Sequence, residues 1–161
     1  MGNGISDWLQ NFVEESNRIE GIGRTRPVEF QAHKDFLSTV PTIDTLTALV
    51  AVCAPSNRLR DQRGLNVTVG SYIPLEGGPE IRGRLKELLF QAHEHILTPY
   101  TLHCDYERLH PFTDGNGRSG RALWLWMMLR GSEHDIRMAK ELGFLHTFYY
   151  QALGEFRDNC N

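Results

Sequence analysis

The sequence predicts a single all-α domain, a helical bundle with one β-hairpin. Apolar residues recur at helical spacing along most of the 161-residue chain, and this spacing is the main sign of amphipathic helices. Proline and glycine mark the ends of these segments. Only residues 65–75 carry the β-branched runs and the central glycine that are typical of a hairpin. No linker divides the chain, so residues 1–161 are interpreted as one domain.

The first helix is predicted within residues 6–22, where an apolar stripe runs from Trp8 to Val13 and Gly21 provides a stop signal. Prolines at the first position predict helices that begin at residues 27, 79 and 99 and end near residues 37, 96 and 108. Residues 42–54 and about 138–156 also have helical spacing. The run ALWLWMML, residues 122–129, is apolar on every side and is predicted to be a buried helix.

The predicted hairpin is LNVTVGSYIPL, residues 65–75, in which Gly70-Ser71 suits a two-residue type II′ turn. An isolated hairpin is only marginally stable unless it packs on something else. The spacing alone therefore leaves open whether this is an ordinary surface hairpin or a functional one.

The composition excludes several classes of protein. A net charge of −3 lacks the basic excess of a nucleic-acid-binding protein. No apolar run is long enough to span a bilayer, and the first residues lack the pattern of a signal peptide. The three cysteines are widely spaced, which indicates reduced thiols and no zinc site. We therefore expect a cytoplasmic protein that binds neither nucleic acid nor membrane.

The polar stretch HPFTDGNGRSGR, residues 110–121, comes directly before the apolar run. Gly115 and Gly117 surround Asn116 at the predicted start of a helix, where backbone N–H groups and the helix dipole favour an anion. Arg118 and Arg121 lie three residues apart on the first turn. Two cations at a helix N-terminus need a compensating anion, and arginine matches phosphate oxygens well. This pattern indicates a polyphosphate site.

Two further residues of the stretch supply reactive groups. Asp114 offers a hard oxygen ligand for Mg²⁺ beside phosphate, and His110 can accept a proton at neutral pH. Phosphoryl chemistry needs little more than positioning, charge neutralisation and a base. Other interpretations are weaker. A lone histidine is often structural. A dinucleotide fold would need a buried strand before the glycines. A calcium loop would need a glutamate where Leu125 stands.

The stretch also matches, at every defined position, the HPFx[DE]GNGRxxR signature of Fic-domain proteins. The chain resembles that family over its predicted helical core, its hairpin and the segment FYYQAL, residues 148–153. The resemblance implies a Fic fold, with ATP and Mg²⁺ as cofactors. It also implies transfer of AMP from ATP to a serine, threonine or tyrosine hydroxyl of a target protein, which could be the protein itself.

The resemblance implies a role for each residue of the motif. His110 would be the general base, Asp114 the magnesium ligand and Phe112 a core anchor under the loop. The nucleotide-binding residues would be Gly115, Asn116, Gly117, Arg118 and Arg121 for the phosphates, with Tyr149 and Tyr150 near the adenine and ribose. The hairpin would be the flap that aligns a target segment as an added strand, through Val67, Val69 and Tyr72.

A second motif concerns regulation. SNRIEG, residues 16–21, resembles the [ST]xxxE[GN] inhibitory helix of the same family. Ser16 and Glu20 share one face of the N-terminal helix because they lie four residues apart. A carboxylate from Glu20 that pairs with Arg121 would occupy the cation that the γ-phosphate needs. The sequence thus predicts an autoinhibited protein adenylyltransferase.

Three alternatives stay open. The residues after FYYQAL lack a clear counterpart of the asparagine that often follows in relatives, so the enzyme could transfer a different nucleotide. Family members that remove AMP use the inhibitory glutamate to position water. A non-catalytic interaction module would keep the loop as an anion site, although it would have no need of a base at His110.

Overall fold

The computed structural model describes residues 5–141, and the expected all-α class is confirmed there. The helices of this part of the chain are α1 (Asp7–Ile19), α2 (Pro27–Leu37), α3 (Ile43–Cys53), α4 (Pro79–His93), α5 (Pro99–Leu109), α6 (Asn116–Met128) and α7 (Glu133–Lys140). Between residues 5 and 141, every helix is too short or too polar to cross a membrane.

The helix boundaries follow local chemistry. Pro27, Pro79 and Pro99 each occupy the first turn of a helix, as predicted, because their missing N–H would have no partner there. After α1 the chain turns at Gly21 with a φ of +76°, a left-handed conformation that glycine adopts without strain.

Two predicted boundaries are wrong. α4 ends at His93 and not near Ile96, because His95 adopts a φ of +53° and leaves Ile96 exposed. The helix predicted from about Met138 does not begin there, because Met138 lies within α7. This helix begins at Glu133, where the Ser132 side chain accepts a hydrogen bond from the backbone of Asp135, and it ends at Lys140. The predicted continuation of a helix to residue 156 lies outside the described residues.

α6 is the central element, and it packs against α1, α2, α3, α5 and α7. Trp124 faces one apolar cluster, where it stacks on Phe12 at a centroid distance of 6.5 Å. Trp126 faces the other cluster and donates a hydrogen bond to the carbonyl of Thr39. Burial of each large side chain contributes about 1.5–3 kcal/mol, so the start of α6 is held on a rigid support.

The predicted hairpin at residues 65–75 does not form. One isolated bridge joins Val69 to Tyr72, with backbone hydrogen bonds of 2.9 and 3.0 Å, and Gly70 between them has a φ of +60°. The turn chemistry was therefore predicted well, but the two arms do not continue as paired strands.

The arms stay apart because a buried arginine binds them both. Arg60 is fully buried, and its Nη1 donates to the carbonyls of Leu65 and Leu75, one on each arm. Its Nε and Nη2 donate to the carbonyls of His110 and Leu109 at the end of α5. A carbonyl that accepts from the guanidinium is not paired with the opposite arm. Arg60 thus ties the 65–75 loop to His110.

We predict that Arg60→Met destabilises the protein by about 3 kcal/mol or more, because it leaves four buried or part-buried carbonyls without their donor. Arg82→Met is the matched control, since Arg82 makes an exposed ion pair with Asp61 and such pairs contribute at most about 1 kcal/mol. Urea unfolding measures both free energies. Equal losses for the two variants would contradict the bracing role of Arg60.

Candidate active site

The loop between α5 and α6 begins at His110, which caps α5 in a left-handed conformation with φ +50°. An antiparallel bridge joins Leu59 to Phe112, and backbone hydrogen bonds of 2.9 Å lie on either side of it. Phe112 is fully buried in the larger apolar cluster, as expected of a core anchor. The loop is therefore fixed at its start and in its middle.

The side chain of Asn116 closes the same loop. Its Oδ1 accepts from the backbone N–H of Phe112 at 2.9 Å, and its Nδ2 donates to the carbonyl of Phe112 at 2.8 Å. Asn116 is buried, so its amide is committed to the loop. Any role of Asn116 in holding phosphate falls to its backbone N–H.

Backbone N–H groups at the start of α6 point out of the helix end. Within residues 5–141, the N–H groups of Asn116, Gly117 and Arg118 donate to no acceptor. Gly115 precedes them with a φ of +80°, and a Cβ there would lie 3.1 Å from Val50 Cγ1. A helix N-terminus with three such donors is suited to an anion.

Arg118 lies beside this helix end. Its Nη1 donates to the carbonyl of Cys53 at the end of α3, and its Nη2 lies 3.9 Å from Asp114 Oδ1. The side chain is buried. A fixed guanidinium at this position adds positive charge to the anion site.

Asp114 could bind Mg²⁺ in a site with few protein ligands. Its side chain is 73% exposed, and Oδ1 accepts from the N–H of Gly115 at 2.7 Å. No group of three or more potential ligand side chains occurs in the described part of the chain. Mg²⁺ commonly uses one or two carboxylates together with substrate phosphates and water, and Asp114 could supply one such carboxylate.

Arg121 is 1% exposed, and α1 supplies its acceptors. Its Nε donates to Ser16 Oγ at 2.8 Å, and its Nη2 donates to the Ser16 carbonyl at 2.9 Å and to Glu20 Oε1 at 2.7 Å. The structure thus brings together Ser16, Glu20 and Arg121, three residues that the two motifs connect only by resemblance.

The Glu20 carboxylate also covers the start of α6. A Cβ at Gly117 would overlap Glu20 Oε1 and lie 3.1 Å from Arg121 Nη1. The carboxylate therefore occupies space directly against the helix N-terminus, where an anion is favoured. The glycine at position 117 is required for this close approach.

His110 is half-buried, and burial lowers its pKa below the usual value. The backbone carbonyl of Glu107 and the charges of Glu20 and Asp114 act in the opposite direction, while Arg60 lowers the pKa further. The net shift keeps the imidazole neutral at pH 7, which is the form that accepts a proton.

His110 lines a cleft with a volume of about 460 Å³, and the 65–75 loop lines it too. Val67 lines this cleft. Val69 is exposed at the tip of the turn. Tyr72 faces away, because it lines a different groove and its hydroxyl donates to the carbonyl of Arg108. Tyr72 thus anchors the loop on α5.

Three residues near the site carry no signal in the motifs. Ile73 is 74% exposed and lines the cleft beside His110. Arg60 positions the loop, although the sequence around it reads as an ordinary polar segment. Glu107 lies four residues after His103, so helical spacing alone would place it on the buried side of α5. Tyr149 and Tyr150 lie outside the described residues.

Comparison with known proteins gives one family match. Residues 58–128 match the sequence profile of the Fic/DOC family. This range includes the loop between α5 and α6, the cleft beside His110 and helix α6. A search of curated proteins and a search of solved structures each return no match.

We predict that Asn116→Ala destabilises the protein by about 2–4 kcal/mol without any nucleotide, because it leaves two buried backbone groups of Phe112 unpaired. The control is Asn11→Ala, an exposed position on α1 where alanine is neutral or favourable. Thermal unfolding measures both. A loss for Asn116→Ala no larger than for the control would mean that its amide is not structural.

Proposed function

Because the chain is a Fic-domain protein, we propose that it transfers AMP from ATP to a side-chain hydroxyl of a protein and that Glu20 inhibits this transfer. The proposal is supported chiefly by one arrangement. A neutral histidine, an anion-binding helix end and two arginines lie around a single loop, and a carboxylate from α1 covers the second arginine.

The transfer step needs a base and an anion site, and His110 can supply the base. The target hydroxyl would give its proton to the imidazole while its oxygen attacks the α-phosphorus of ATP. The bond from that phosphorus to the β-phosphate bridging oxygen would break, and pyrophosphate would leave. Burial keeps His110 neutral before the step, so it is ready to accept the proton.

The start of α6 would hold the phosphates. The N–H groups of Asn116, Gly117 and Arg118 donate to no acceptor within residues 5–141, so they could bind phosphate oxygens. The guanidinium groups of Arg118 and Arg121 would neutralise the leaving pyrophosphate. Mg²⁺ held at Asp114 would add charge neutralisation at the phosphates.

The cleft beside His110 would receive the target. The 65–75 loop lines this cleft, so an extended segment of the target would lie next to the base. Outside the bridge between Val69 and Tyr72, the two arms of this loop are not paired as strands, so an arm could pair with an added strand. A loop with one bridge and otherwise unpaired arms could therefore still serve as the flap that aligns a target segment.

Inhibition follows from the shared use of Arg121. The γ-phosphate would need the guanidinium that Glu20 Oε1 contacts at 2.7 Å. Both anions cannot take the same place, and the carboxylate lies on the same chain. ATP would then bind without its outer phosphate on Arg121, in a pose that does not align the α-phosphorus with the hydroxyl.

We predict that Glu20→Ala raises AMP transfer about 10- to 100-fold, because a hydrogen bond between charged groups of which one is half-exposed contributes about 1.5–3 kcal/mol. Incorporation of labelled AMP under magnesium-ATP measures the gain, both on the protein itself and on added lysate proteins. Glu14→Ala is the matched control, because Glu14 lies on the same helix and pairs only at the surface with Arg18.

Adding His110→Ala to Glu20→Ala should remove the gained activity by about 10²–10⁴-fold, since release of Arg121 supplies no base. Parallel reactions with CTP, GTP and UTP identify the nucleotide. No label from any of the four nucleotides, with the fold intact, would reject the transferase and favour an interaction module.

A further inference from the structure

The segment that holds the Glu20 carboxylate, residues 20–26, lies outside the apolar core. Neither apolar cluster of the described residues includes a member of this segment, and Gly21, Gly23 and Arg24 are exposed. Burial of apolar surface is the dominant stabilising term in folding, and it contributes little here. The conformation of residues 20–26 therefore depends on polar contacts.

Asn17 binds this segment at several points. Its carbonyl accepts from the N–H groups of Glu20 at 3.0 Å and Ile22 at 2.9 Å. Its side-chain Nδ2 donates to Thr25 Oγ1 at 2.9 Å and to Glu29 Oε1 at 3.2 Å. Asn17 is 1% exposed, so these contacts are shielded from water. The amide of Asn17 thus joins the end of α1 to the start of α2.

Glu29 is a fixed acceptor, because its other carboxylate oxygen caps α2. Oε2 accepts from the backbone N–H of Arg26 at 2.7 Å and from Arg26 Nε at 3.3 Å. Nη2 of Arg26 donates in turn to the carbonyl of Val52 on α3. Glu29 is buried, and the helix dipole stabilises a carboxylate at a helix N-terminus. Asn17 is therefore tied to a position that α2 and α3 hold in place.

The two residues that contact Arg121 lie on either side of Asn17 in the sequence. Ser16 is a buried member of α1, whereas Glu20 is the residue that caps the end of this helix, and its side chain is 35% exposed. Contact between Glu20 and Arg121 thus depends on the conformation of the helix end, which Asn17 braces.

We propose that Asn17 is a positioning residue of the inhibitory contact: through Glu29 and Thr25 it fixes the end of α1 so that the Glu20 carboxylate stays on Arg121. Asn17 acts through Glu20 and does not touch the reacting atoms. The effect on AMP transfer rests on the proposed function, but the effect on the contact of Glu20 with Arg121 is independent of any substrate.

Asn17→Ala is expected to loosen the helix end without weakening α1 itself. Alanine is the better helix former, but the variant removes two hydrogen bonds, one of them to a carboxylate. We expect the equilibrium between the contacted and the open position of Glu20 to shift about tenfold toward the open one.

The first test needs no nucleotide. Nitrogen-15 NMR of the arginine side chains follows Arg121, whose N–H signals in Glu20→Ala mark the state without the carboxylate. The signals of Asn17→Ala should move from the wild-type position toward that state, because they report the populations of both. Asn11→Ala, at an exposed position of the same helix, should leave them unmoved. Wild-type signals in Asn17→Ala would overturn the proposal.

A reversed hydrogen bond supplies a second set of variants, which also serves if Asn17→Ala does not fold. Asn17→Asp places two carboxylates against each other, so the Arg121 signals should move toward those of Glu20→Ala. Adding Glu29→Gln lets the new amide donate to the new carboxylate while its oxygen still accepts from Arg26. The signals should then return toward the wild type, and no recovery would reject Glu29 as the partner that holds the helix end.

The effect on activity tests whether Asn17 acts through Glu20. Asn17→Ala should raise the incorporation of labelled AMP about five- to tenfold, as the tenfold shift in the equilibrium requires. It should add nothing in the Glu20→Ala background, where no carboxylate remains to be held. A general change in the fold would alter the activity in both backgrounds, and equal changes in both would overturn the positioning role.

The outcomes separate the two proposals. No AMP transfer by Glu20→Ala would reject the proposed function, while the Arg121 signals would still decide whether Asn17 holds the carboxylate. Transfer by Glu20→Ala together with unmoved Arg121 signals in Asn17→Ala would reject the positioning role and leave the proposed function intact.

Discussion

A guanidinium that is 1% exposed must find its oxygen acceptors inside the protein, and this constraint on Arg121 organises the whole site. α6 carries the group into the core, because both of its apolar faces are packed. The acceptors come from Ser16 and Glu20, which α1 delivers from more than a hundred residues away. Packing of α1 on α6 therefore also brings Glu20 to Arg121.

The loop is rigid for a different reason. Its backbone groups are bound by side chains that have no part in the chemistry: the amide of Asn116 closes it from within, and Arg60 braces its first carbonyl from outside. Such a loop does not need to reorganise when an anion arrives, and preorganised donors are the main source of electrostatic stabilisation at active sites. Under the proposed function, the Glu20 carboxylate and the phosphates would meet the same fixed donors, so their competition would be decided by charge and not by loop movement.

How much of this could be predicted from the sequence depended on whether the signal was local. Helix starts at prolines depend on neighbours in the chain, and the structure confirms them. The anion-binding pattern of residues 110–121 is also local, and it stays a prediction. The hairpin was only half right, since the turn at Gly70 forms but Arg60 takes the carbonyls that strands would pair. Tertiary packing places Arg60 between distant segments and brings the Glu107 carboxyl group close to Gly120. No spacing rule in one sequence reveals them.

The central claim is that Glu20 and the terminal phosphate of ATP compete for Arg121. Calorimetric affinities of ATP and ADP for the wild type and Glu20→Ala test it most directly, because the two nucleotides differ only in the γ-phosphate. The account predicts that Glu20→Ala tightens ATP binding about tenfold or more, equal to about 1.4 kcal/mol, and leaves ADP binding nearly unchanged. An equal gain for both nucleotides, or no gain for ATP, would contradict it.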